Sequence, residues 1–143
     1  MGNKLIARLT RQLKAPVDKV WEALTTPDQI RQYLFGTDTK SDFKKGSTIT
    51  YSGVYEGKAY EDKGVVIDAQ PNKLLHTTHY SPLSGKEDKP ENYAHVIYEL
   101  EDDGDTTTIH LSQDNIENEE QMEHMKKNWS MVLDGLQKLV EQG

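Results

Sequence analysis

The chain has 143 residues, enough for one domain with a modest core, and 24 acidic against 17 basic residues give it a net charge of -7. That acidity repels phosphate backbones and argues against a nucleic-acid partner, while the lack of cysteine removes disulfides, thiolate metal sites and a cysteine nucleophile together. No run approaches the roughly 18 apolar residues of a membrane span, Met1 to Arg11 lacks the apolar segment of a secretory signal, and a cytoplasmic protein with a single domain over residues 1–143 is the expectation.

Leu5, Ala7, Leu9 and Leu13 alternate with Ile6, Arg8, Thr10 and Gln12, which predicts a first strand with one face towards the core. Pro16 suits the first turn of a helix, on which Val17, Val20, Trp21 and Leu24 share a face. Thr26, Pro27 and Gln29 read as cap, first helical residue and capping-box partner of a second short helix, striped by Ile30, Tyr33 and Leu34. From Thr37 the pattern becomes that of antiparallel sheet. Ile49 and Tyr51 alternate after the Lys45-Gly46 turn, and a strand near Ala59 to Asp68 leads through Pro71-Asn72 into Leu74 to Tyr80. Ser81 to Asn92 reads as a long polar loop of the kind that is often functional or mobile. Ala94, Val96, Tyr98 and Leu100 alternate, Asp102 to Asp105 makes a hairpin turn, and Ile109 and Leu111 continue the same inner face.

The last segment, Asn118 to Gln142, predicts the one long amphipathic helix. Met122, Met125, Trp129, Val132, Leu133, Leu136, Leu139 and Val140 recur at steps of three and four, an arc of about 120° that must be buried. Asn118 and Gln121 form a capping-box start, and the rod is about 36 Å long at 1.5 Å per residue. One apolar stripe and one curved, one-sided antiparallel sheet make a two-layer α+β arrangement.

Neither metal nor nucleophilic chemistry is signalled. His76 and His79 stand at odd spacing on a strand and so face opposite ways; His95, His110 and His124 are scattered, and no HExxH or GxSxG run is present. Counting alternation from Leu74 turns His76 inward beside Thr78 and Tyr80, and counting from Val66 turns Asp68 inward.

Several local motifs then coincide with a known family. They are Ala15-Pro16-Val17-Asp18-Lys19-Val20-Trp21-Glu22-Ala23-Leu24, Thr26-Pro27, Phe43-Lys44-Lys45-Gly46, Gly64-Val65-Val66-Ile67-Asp68, Pro71-Asn72-Lys73-Leu74, Val96-Ile97-Tyr98-Glu99-Leu100, and Asn128-Trp129 with Leu133 and Leu136. In their order and spacing the chain resembles the START-like (SRPBCC, Bet v 1-like) helix-grip superfamily and, within it, the group named after the activator of the Hsp90 ATPase. The resemblance implies a curved antiparallel sheet of about six to seven strands wrapped around the long C-terminal helix, with two short helices after the first strand. It also implies a cavity between sheet and helix that takes a small hydrophobic molecule, without cofactor, metal or catalytic residue. In such a fold Tyr33, Tyr51, His76, Tyr98, Met125, Trp129 and Leu133 converge as the candidate ligand-binding set. The family name implies a second function, modulation of a chaperone ATPase by protein contact. Its cyclases imply a third, an enzyme using His76 or Asp68 as acid or base. Tyr33, Ser47, Thr78 and Asn128 depart from residues common in the group and make the implied cavity more polar.

Overall fold

The structure is a computed structural model and describes residues 5–34, 36–82 and 85–141. The chain opens with β1 (Leu5–Leu13), followed by helices α1 (Val17–Thr25) and α2 (Pro27–Tyr33). Strands β2 (Asp38–Ser41), β3 (Thr48–Tyr55), β4 (Lys58–Gln70), β5 (Leu74–His79), β6 (Ala94–Asp102) and β7 (Thr107–Ile116) come next, and α3 (Glu119–Glu141) closes the chain. The strands form one antiparallel sheet in the order β1-β7-β6-β5-β4-β3-β2. From β2 onwards each strand pairs with its successor, so the sheet grows by hairpins, and β1 then closes on β7. The short helices carry the chain from the β1 edge to the β2 edge, and α3 packs chiefly on β1 and α2.

Leu13, Val20, Ile49, Val66, Ile109, Leu111, Leu133 and Leu136 form the centre of the core. The stripe of α3 is buried unevenly. Val132, Leu133, Leu136 and Val140 are buried, whereas Met122, Met125, Trp129 and Leu139, expected from spacing to be equally buried, are only half-buried. The reason is geometric: a straight rod against a twisted sheet makes close contact over part of its length. Gly135 lets α2 approach the well-packed half, since a Cβ there would stand 3.0 Å from the Cβ of Tyr33.

Asn118 caps α3 as expected, its Oδ1 accepting the Gln121 N–H at 2.8 Å, but the Gln121 side chain accepts from the Glu117 N–H instead of completing the box. The second predicted box does not form. Thr26 caps α2 without a side-chain bond, and Gln29 donates to Glu22 at 3.0 Å. The expected helix end at Gln142 lies outside the described residues, as do Leu83 and Ser84 of the polar loop. The described part of that loop is tied down: Tyr80 stacks on Tyr93 at 5.1 Å, the Tyr80 hydroxyl donates to the Lys86 carbonyl, and Asp88 pairs with Lys63 and accepts from the Tyr93 hydroxyl. No helix among the described residues is long and apolar enough to cross a membrane.

Candidate functional site

Cross-strand pairing sets the site. Thr39 on β2 lies opposite Tyr51 on β3, and Tyr51 lies opposite Asp62 on β4, so the three form a row on the face turned to the helices. Leu75 and Thr77 on β5 and Val96 and Tyr98 on β6 continue that face. Of these, Thr39, Tyr51, Leu75, Thr77 and Tyr98, with Tyr33 from α2 and Phe43 from the β2–β3 connection, enclose a residual cavity of about 20 Å³, while Asp62 stands outside its lining; the space is room for a single water molecule.

The cavity is aromatic and oxygen-lined. The Tyr33 hydroxyl donates to the Ala23 carbonyl at 2.9 Å. Burial pushes the Tyr51 hydroxyl up to about 12 and raises those of Tyr33 and Tyr98 as well, so all three keep their protons at neutral pH. Beside Tyr51, whose ring meets that of His79 edge-on at 5.7 Å, His79 Nε2 lies 2.9 Å from Asp62 Oδ2. The side chain of His79 is 40% exposed and that of Asp62 only 16%, so the imidazole closes the carboxylate off from solvent. Two oxygens of this row, Thr39 Oγ1 and Asp62 Oδ1, are buried without a hydrogen-bond partner. A carboxylate that orients an imidazole, next to a phenol that retains its proton, can hold a polar group or pass a proton.

Of the seven residues expected at the site, Tyr33, Tyr51 and Tyr98 meet around the cavity. Trp129 borders them at one remove, edge-on to Tyr98 at 6.2 Å with its Nε1–H donating to Gln113 at 2.7 Å. Leu133 is buried in the core and Met125 is half-buried on the helix; neither lines the cavity. His76 does not face inward. Leu75 and Thr77 take the inner face, which turns His76 outward to lie 2.8 Å from His95 Nδ1. Asp68 is corrected in the same way: a bulge between Val66 and Asp68 reverses the alternation, and Asp68 pairs opposite His76 and accepts from Gln70 at 2.8 Å. The inward histidine and carboxylate are His79 and Asp62. Starting the alternation at Leu75 instead of its neighbour Leu74 would have found His79.

The model of the family described as Activator of Hsp90 ATPase homolog 1-like protein matches residues 14–141. The chain belongs to this family. A protein from Cytophaga hutchinsonii, solved in solution, is 44% identical over 99% of this chain and 97% of its own, with a TM-score of 0.87. The Aha1 dimer of Colwellia psychrerythraea shares 22% identity over 97% of this chain and 98% of its own at a TM-score of 0.75. A Mesorhizobium loti protein shares 21% over 96% and 98% at 0.77. Comparison with curated proteins gives no match. The curved seven-stranded sheet, the long last helix and the two short helices after β1 are the helix-grip fold of these Hsp90-activator-like neighbours.

The outward His76–His95 pair is expected to make this family member sensitive to acid. Burial and the neighbouring His95 imidazole lower the His76 pKa from 6.5, against the opposing pull of Asp114 and Asp68. The unfolded chain therefore binds the proton more readily, and stability is lost as pH falls below 6.5 towards the folded value. Urea midpoints measured at mildly acidic and neutral pH are expected to drop on acidification, and to drop less in His76→Gln.

Proposed function

We propose that the chain is a binding module for a small, largely apolar molecule that carries a hydrogen-bonding group, held between the sheet and the helices at the space that Tyr33, Tyr51 and Tyr98 line. The observation that supports this most is the pair of buried, unpartnered oxygens, Thr39 Oγ1 and Asp62 Oδ1, flanking Tyr51 on one row of the inner face. A buried polar group without a partner costs about 1–3 kcal/mol, which a bound molecule can recover. The half-burial of Met125 and Trp129 leaves that part of the inner face less tightly covered than the other end of α3. Apolar contact supplies affinity, at about 25 cal/mol per Å², and the hydroxyl, imidazole and carboxylate groups supply orientation.

The test is an NMR titration with a panel of fatty acids, flavonoids and aromatic acids. Signals of Tyr33, Tyr51 and Tyr98 are expected to move while those of Ile6, His110 and Met131 stay put, and the melting temperature is expected to rise, since a ligand at 100 times its Kd adds about 2.7 kcal/mol. A panel that moves none of the tyrosines rejects the proposal. Family membership supports a second function, contact with a chaperone ATPase, for which Val54 at the β3–β4 turn and Met131 on α3, 72% and 50% exposed, are the most accessible large apolar side chains among the described residues. Stimulation of a purified Hsp90-type ATPase by the chain, lost in Val54→Asp, would favour it.

A further inference from the structure

A cavity large enough for one water cannot hold the proposed ligand unless a wall moves. Outside it lies an open cleft of about 450 Å³ between Trp21 and Thr25 of α1 and the segment Ser41 to Lys45, with Ala69 and Pro71 behind. Phe43 belongs to the walls of both spaces. Its backbone is in the left-handed region, φ 52°, which is unfavourable for a bulky residue. Its N–H donates to Ser41 Oγ at 3.0 Å, and the backbone after it is fixed by the Ser47 N–H on the Lys44 carbonyl and the Gly46 N–H on the Val66 carbonyl, each at 2.8 Å, so that the ring and not the turn is the part free to move. A half-buried ring on a strained turn, with empty space on one side and an under-filled cavity on the other, leaves its place more cheaply than the fully buried side chains around it.

The cleft also differs in charge from the rest of the molecule. The chain carries -7 overall, yet Lys44 and Lys45 stand on the cleft wall against one carboxylate, Asp42. No ion pair joins either lysine to a described residue. We infer that Phe43 is the gate between this cleft and the tyrosine-lined cavity, and that the ligand is an anionic amphiphile whose acidic head stays at Lys44 and Lys45 while its apolar body displaces Phe43. The inference rests on the binding function proposed above and adds the route and the ligand class.

Two dyes of nearly the same ring system separate its parts: anionic anilinonaphthalene sulfonate and neutral phenylnaphthylamine, each followed by fluorescence, with the bound site located from tyrosine NMR shifts. Lys44→Ala with Lys45→Ala is expected to weaken the sulfonate about fivefold, as for loss of a partly exposed ion pair, to reduce its salt dependence, and to leave the neutral dye unchanged. Phe43→Ala is expected to speed association of both dyes about tenfold by raising the open fraction. Phe43→Leu, which keeps an apolar side chain there, guards against loss of fold and is expected to fall between. If both dyes bind at the tyrosines but the lysine variant affects them equally, the anionic class is wrong. If association is the same in all Phe43 variants, the gate is wrong. If neither dye reaches the tyrosines even in Phe43→Ala, the binding function fails and the inference with it.

Discussion

Replacing Gly64 by alanine is expected to cost about 3 kcal/mol or more, a large part of the stability of an ordinary domain. Gly64 is buried in β4, and a Cβ there would sit 1.7 Å from the Thr78 carbonyl oxygen and 2.5 Å from its carbon. Both are backbone atoms held by the β4–β5 pairing: Lys63 and Tyr80 exchange N–H bonds at 3.0 and 2.8 Å, and the Val65 N–H donates to Thr78 Oγ1 at 2.9 Å. No rotamer change relieves such a clash, so the two strands must part, and the bonds on either side go with them. The demand at this glycine is for space, since its backbone is not left-handed. Urea denaturation measures the effect; a loss below about 1 kcal/mol would mean that the strands separate freely at this point.

Trp129→Ala is expected to cost about 3 kcal/mol, the lower end of the range for large aromatic residues, because the ring is half-buried. The loss combines apolar area, the edge-on contact with Tyr98 at 6.2 Å, and the 2.7 Å bond to Gln113. Trp129→Phe isolates the last of these, since it keeps a ring but leaves Gln113 Oε1 without its donor, and is expected to cost about 1 kcal/mol. Met131→Glu, at a 50% exposed position on the same helix, is the control and is expected to stay within about 0.5 kcal/mol of the wild type. Equal midpoints for Trp129→Ala and Met131→Glu would overturn the placement of Trp129 against the sheet.

The sequence by itself determined the order of elements, the inner faces of β1, β6 and β7 and the buried end of α3. These follow from local periodicity: each depends only on spacing within one element and on the rule that an apolar face must be covered. Tertiary structure decided the rest. Leu74 and Leu75 are adjacent, so alternation alone allowed either phase for β5, and only pairing with β4 and β6 sends Leu75 and Thr77 inward and His76 outward. One extra residue at the bulge after Val66 reverses the face of Asp68, which no count along β4 could register. Asp62 and His79 meet across 17 residues of chain because β4 turns back on β5, and Phe43 gains its place between two spaces from the packing of α1 and β4 on either side of its turn. Contacts between elements depend on register and approach, and those are set by the whole fold at once.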